Sequence, residues 1–160
     1  MAIKNNVTRM LDKRGIAYTA YELPPEKLGA QETAKRLGVD PARVFKTIVV
    51  VRSGRGKPIL AVVSATQEVD VKAVARAVGE KKVHIPTQRE AEQITGLQAG
   101  GISPLALLHR GFTVVLDESA READFLHVSG GQRGLNIRMG VDDFIQLTRA
   151  RVAPIGRPLS

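Results

Sequence analysis

Hydrophobic positions in this chain change their period from segment to segment, and the changes mark its elements. The densest apolar run is Val44–Val51, Val-Phe-Lys-Thr-Ile-Val-Val-Val. Its β-branched content is that of a strand buried on both faces. Strand side chains alternate, so Lys46 shares a face with Val44, Ile48 and Val50, while Phe45, Thr47, Val49 and Val51 take the other. Ile59–Ser64 is a second such run, and the Gly- and Pro-containing Ser53–Pro58 between them predicts an antiparallel hairpin. Shorter strands are predicted over Ala17–Leu23, Lys81–Ile85, Thr113–Leu116, Phe125–Ser129 and Leu135–Met139, the last two as a hairpin. An edge strand is expected at Arg151–Ile155, with Gly156–Ser160 as tail.

Elsewhere the period is helical and the stops are explicit. Asn5 or Asn6 caps a helix carrying Val7, Met10 and Leu11 and ended by Gly15; Ala30–Leu37 is closed by Gly38. Asp70 caps a helix through Val78 that Gly79 ends, and Thr87 with Glu90 has capping-box spacing for a helix to about Thr95. Asp142 or Asp143 begins a last helix with Phe144, Ile145 and Leu147 inside, while Asp40–Pro41 and Ser103–Pro104 start single turns. About eight strands interspersed irregularly with five or six helices lack strict βαβ alternation, which predicts an α+β fold on a curved, mixed sheet. No linker or repeat breaks the pattern, and 160 residues suit one domain over 1–160.

Composition narrows the function. Aromatic residues make up 4% of the chain, with no Trp, so an exposed base-stacking platform is hard to assemble. The absence of Cys removes disulfides, thiolate metal sites and a protein thiol nucleophile. No apolar run approaches the ~18 residues of a membrane span, and the N-terminus has no signal-peptide pattern, so a cytoplasmic protein is expected. The net charge of +8 favours a polyanionic partner over mere solubility, nucleic acid above all. Its basic residues, among them Lys35, Arg43, Arg52, Lys57, Arg133 and Arg138, are dispersed, so any footprint must be assembled by folding.

Candidate chemistry is sparse. His84, His109 and His127 have no metal-ligand spacing, so no metal and no cofactor are expected, and His127 reads as a structural histidine. Ser103 and Ser129 lack the nucleophile elbow. Lys46 is either an edge-strand lysine that discourages aggregation or an ammonium opening onto a cleft for an anionic group. Gly100–Gly101, followed by Ile102 and Ser103, and Ser129–Gly130–Gly131 are loops whose successive N–H groups can form an anion nest or an oxyanion hole. Tyr21 can orient a ligand or simply pack. No general base is evident, so hydrolysis would depend on water or on the substrate itself.

Val44-Phe45-Lys46-Thr47 before an apolar strand, Gly100-Gly101-Ile102-Ser103-Pro104-Leu105, and Val128-Ser129-Gly130-Gly131-Gln132-Arg133-Gly134-Leu135 together resemble the YbaK and prolyl-tRNA-synthetase-associated editing domain family. The likeness spans nearly the whole chain. It implies a barrel-like curved sheet flanked by helices and a trans-acting aminoacyl-tRNA deacylase. The subgroup that hydrolyses cysteinyl-tRNA(Pro) is the nearest match, with tRNA as partner and prolyl-tRNA synthetase as a further one. The family's essential lysine matches Lys46; Gly101 is carried over as catalytic, and Tyr21, Gly100, Ile102, Ser103, Ser129, Gly130, Gly131 and Asn136 as substrate-binding. In that subgroup the substrate's own thiol attacks the ester, which agrees with the missing base. A relative that removes alanine with bound water and a non-catalytic RNA-binding module are the competing readings. Asn136, Gln132 and Ala106 stand where relatives often have Asp, Lys and Gly, with consequences for pocket polarity and RNA contact.

Overall fold

Two strands whose every second residue is needed on a different side organise the molecule. In the computed structural model, which describes residues 3–159, β2 (Phe45–Arg52) pairs antiparallel with β3 (Ile59–Ser64) as expected, with Lys46 opposite Val63. All six residues of β3 are buried. Leu60 and Val62 point to one core with Phe45 and Val49, while Ile59, Ala61 and Val63 point to another with Val50. A strand read on both faces must lie between layers.

The sheet extends as β5-β2-β3-β6-β9, with β5 at Val83–His84, β6 at Thr113–Asp117 and β9 at Arg151–Ala153. It is mixed, because β3 with β6 and β6 with β9 are parallel. α3 (Val71–Val78) covers one face through Ala73, Val74 and Ala75. On the other face lie α1 (Asn6–Lys13), α5 (Val141–Thr148) and a three-stranded antiparallel sheet of β1 (Tyr18–Glu22), β8 (Leu135–Gly140) and β7 (Phe125–Ser129), ordered β1-β8-β7. α2 (Ala30–Leu37) and α4 (Gln88–Thr95) flank the gap between the sheets' ends.

Capping follows the residue chemistry. Asn5 and Thr87 each make a reciprocal capping box, and Asp70 accepts from Ala73 N–H. Each such cap is worth ~1 kcal/mol. Neither Asp142 nor Asp143 caps α5: Gly140 is its N-cap, and the two carboxylates sit in the first turn, where the helix dipole favours them.

Three expectations are corrected. The sheet does not close into a barrel: the described residues form three sheets, and a parallel bridge between Val44 and His127 joins the two larger ones edge to edge. The tail is not free, since β10 (Gly156–Pro158) pairs with β4 (Gln67–Val69). It is pinned there because Asp117, 2% exposed, accepts from the Ile155 and Gly156 amides at 3.0 and 2.8 Å. Ser160 lies outside the described residues. Finally, part of the dispersed positive charge is internal. The Arg43 guanidinium is buried and donates to the Ser119, Ala120 and Phe125 carbonyls, and Arg52 is tied to Glu80, Thr113 and the Lys57 carbonyl.

Candidate active site

Because β2 is longer than its neighbour β5, one of its edges is left bare. The Val44 carbonyl accepts from Ala65 N–H at 2.8 Å, so backbone groups of Val44, Lys46 and Ile48 face β3. Those of Phe45, Thr47 and Val49 therefore face the opposite edge. There β2 is paired only by the Val44–His127 bridge at one end and by Val51 and Arg52 with β5 at the other. Between them Thr47 presents an N–H and a C=O with no strand partner among the described residues.

A cavity of about 370 Å³ opens along this edge. Its walls are Val44 and the first five residues of β2, Leu23 and Glu26–Gly29 ahead of α2 with Ala30 and Thr33 of that helix, Ile85 and Pro86, Gln88 and Ala91 of α4, Ala99, Gly100 and Ile102, and Ser129 with Gly134–Asn136. Lys27 bonds Gln88, fastening the Leu23–Ala30 segment to α4 across the mouth. Ser129 and Asn136 are opposite each other on β7 and β8, which brings both to the same face of the smaller sheet.

Lys46 is half-buried on this wall. Its ammonium makes no salt bridge or hydrogen bond among the described residues. Burial pushes it below the ordinary lysine pKa, with the Glu68 carboxylate opposing that shift. An uncompensated cation beside a cavity is suited to receive an anionic group or a carbonyl in which negative charge develops.

The sequence-predicted residues divide. Lys46, Gly100, Ile102, Ser129 and Asn136 line the one cavity. Gly101 does not: a Cβ there would lie 2.9 Å from Gln132 Cα, so this glycine permits the 99–102 loop to lie directly on the 130–134 loop. Gly130 and Gly131 permit other close approaches: a Cβ on Gly130 would meet the Leu135 and Ile137 side chains, and one on Gly131 those of Ala106 and Val7. Ser103 is wholly buried and caps the turn at Pro104–Ala106 through Leu105 N–H. Tyr21 stands opposite Asn136 in register yet outside the cavity wall, its ring 5.6 Å from that of His127.

The expected amide nest is also corrected. The N–H of Gly101 donates to the Gln98 carbonyl at 2.8 Å, that of Gly130 to Leu135 at 2.9 Å, and that of Gly131 to the Ser129 hydroxyl at 3.2 Å. Tight turns consume their own donors. The Gly100 and Ile102 amides have no partner among the described residues. Gln132 and Arg133 also bond within the protein: Gln132, on the surface, accepts from Asn5 through Oε1, and the half-buried Arg133 donates from Nε to the Ala99 carbonyl at 2.6 Å. Among the described residues no group of three or more His, Cys, Asp or Glu is placed to hold a metal, and no helix is long and apolar enough to cross a membrane.

Sequence reasoning missed Thr47, the Leu23–Ala30 wall and α4. Only the two prolines at Pro24–Pro25, read as a strand stop, hinted that the chain there leaves the sheet.

The fold is that of a small α+β protein, with a lysine-walled cavity at the open edge of a mixed sheet. Comparison with known proteins gives the family: the model of the aminoacyl-tRNA editing domain matches residues 24–147, and the chain belongs to that family. A protein of Enterococcus faecalis named as a candidate Cys-tRNA(Pro)/Cys-tRNA(Cys) deacylase, EbsC, is 34% identical over 95% of this chain and 93% of its own length. The proline–tRNA ligase of Thermodesulfovibrio yellowstonii is 31% identical over 51% of this chain but only 14% of the ligase. The crystal structure of a candidate trans-editing enzyme for prolyl tRNA synthetase superposes with a TM-score of 0.79 at 24% identity, covering 98% of this chain and 99% of that one. That likeness carries the fold.

Proposed function

We propose that this chain is a free-standing aminoacyl-tRNA deacylase, one editing domain over residues 1–160, that clears cysteine from mischarged tRNA(Pro) in the cytoplasm. The observation that carries the reading is the unpaired, half-buried Lys46 ammonium on a cavity shared with Gly100, Ile102, Ser129 and Asn136. Family membership and the name given to the EbsC relative supply the substrate class.

In this reading Lys46 holds the terminal nucleotide or the ester as negative charge develops, and the Gly100 and Ile102 amides are the remaining backbone donors to it. The bare Thr47 N–H and C=O can receive the aminoacyl carbonyl and ammonium as a neighbouring strand would. The carboxylate on the wall, Glu26, is exposed, and this reading takes the substrate thiol as the nucleophile: its sulfur bonds the ester carbon, the ribose oxygen leaves, and the thiol proton ends on that oxygen. Tyr21, the half-buried Gly131 and the buried Gly101, Ser103 and Gly130 support the wall rather than touch substrate. Similarity to part of a proline–tRNA ligase favours prolyl-tRNA synthetase as a partner.

Single-turnover deacylation of tRNA(Pro) charged with cysteine, serine or alanine tests this. Cysteine should be released fast and serine, similar in size but less nucleophilic, slowly. Equal release of cysteine and serine would favour attack by water. Selective loss of alanine would assign the other editing activity, and no release of any would leave a tRNA-binding module.

A further inference from the structure

Directly behind the cavity wall lies a side-chain pair that the mechanism above does not use. His127, 1% exposed on β7, has its Nδ1 2.9 Å from Oδ1 of Asn136, itself 5% exposed on β8. The other end of the asparagine amide has no protein partner among the described residues. It is not among the sealed unpartnered atoms of the interior, and Asn136 lines the cavity. His127 Nε2 is the single buried side-chain nitrogen or oxygen without a partner among the described residues.

Two arrangements satisfy the 2.9 Å contact, and they give the cavity opposite faces. If Nδ1 carries the proton it donates to Oδ1, and the Asn136 N–H2 points at the ligand. If Nε2 carries it, the asparagine nitrogen must donate to Nδ1, and a carbonyl oxygen points at the ligand instead.

Two observations select the first. Burying an N–H with no acceptor is costlier and rarer than burying an unused lone pair, and Nε2 is the atom left alone. The ring also lies in a positive field. Phe125 packs edge-on to His127 at 6.0 Å, and the guanidiniums of Arg138 and Arg43 lie 4.1 and 5.9 Å from the same phenyl ring. Positive charge nearby favours a lone pair over an N–H at Nε2 and disfavours the imidazolium.

We propose that His127 is a positioning residue that locks the Asn136 amide with its N–H2 toward the cavity, so that this position selects a hydrogen-bond acceptor on the aminoacyl group, such as a thiol sulfur or hydroxyl oxygen, and rejects an ammonium. The inference rests on the deacylase reading for its substrate, while its structural half does not. With Lys46 on the same wall, the Asn136 position then offers donors, while the acceptors on the wall, the Glu26 carboxylate and the Thr47 carbonyl, belong to other segments.

Long-range proton–nitrogen correlation spectra of the 15N-labelled wild-type protein read the tautomer with no substrate present. The expected result is His127 in the Nδ1–H form, with Nε2 showing the shift of an unprotonated nitrogen; an Nε2–H form or an imidazolium at neutral pH overturns the proposal. The second arm uses tRNA charged with cysteine or with 2,3-diaminopropionate, which carries an ammonium in place of the thiol. His127→Phe keeps the ring and drops both nitrogens. It should lower the preference for cysteine by about tenfold, the scale of one ordinary hydrogen bond, without a matching loss of tRNA affinity. Asn136→Asp keeps the acceptor for Nδ1–H but shows the cavity a carboxylate, and should shift preference toward the ammonium analogue. Unchanged preference in both variants overturns the proposal. Should His127→Phe fail to fold, the wild-type tautomer still decides. Should no charged tRNA be cleaved by the wild type, the deacylase reading falls while the tautomer result stands.

Discussion

Lys46 and Asp117 are both charges taken out of water in the five-stranded sheet, yet one is saturated and the other is not. Asp117 Oδ1 accepts from the Ile155 and Gly156 amides, and Oδ2 from Gln67 Nε2 and Ser119 N–H, all at 2.8–3.0 Å. Desolvation raises its carboxyl pKa, but hydrogen bonds from Ser119, Gln67 and Gly156 more than offset it and hold the pKa below the ordinary carboxylate value. Lys46 has burial working against its charge and no bonded partner among the described residues. A charge that the fold satisfies is part of the fold; a charge the fold leaves unsatisfied beside a cavity is held for a ligand.

The largest expected effect tests the saturated side. Asp117→Ala strands four donors and frees the β4–β10 pair, and should cost about 3 kcal/mol in denaturant-measured stability. A loss well under 1 kcal/mol would erase the contrast between the two charges. Next comes the loop contact that shapes the cavity. Gly101→Ala must push its Cβ against Gln132 Cα, a backbone atom, and should destabilise by about 2 kcal/mol and reduce activity with it. Normal stability with lost activity would instead assign Gly101 a direct catalytic part.

Acid titration gives a smaller effect of worked sign. Because the folded Asp117 pKa is depressed, its contribution is complete above the unfolded value of about 3.9 and is lost as pH falls through the folded one. Asp117→Asn should flatten stability in that window. His127 is also depressed, by burial first and then by Arg138 and Arg43, against the Asn136 hydrogen bond. Its unfolded form takes up a proton below about pH 6.5 while the folded form does not, so stability should begin to fall there, and His127→Phe should remove that part of the slope. The smallest effect is ionic. Affinity for tRNA should drop as salt rises from low to moderate concentration, since each neutralised phosphate releases counterions. Flat affinity would count against a polyanionic substrate.

Much of this contrast was legible before the structure. An isolated Lys46 in a β-branched run already conflicts with local burial, and such conflicts mark function. Helix ends were readable because Asn5, Asp70 and Thr87 are chemically committed caps. What could not be read was how donors are spent. Gly101, Gly130 and Gly131 advertise free amides in sequence, but whether a turn consumes them depends on a carbonyl such as Gln98 or Leu135 arriving opposite. Arg43, Arg52 and Arg133 count toward net charge in sequence and turn inward in the fold for the same reason. The three-residue β4 and β10 are too short to show a period, and their pairing is dictated from a distance by Asp117. The open edge of β2 arises only because β5 is two residues long.

The most direct test of the central claim is to compare Lys46→Met with wild type in one preparation, measuring single-turnover cysteinyl-tRNA(Pro) deacylation and thermal stability together. An unsatisfied charge held for the substrate predicts a rate loss of about 100-fold or more. Stability should be unchanged or slightly raised, because a desolvated ammonium gives way to an apolar chain of similar length. Full activity, or an activity loss that merely tracks unfolding, would contradict the account.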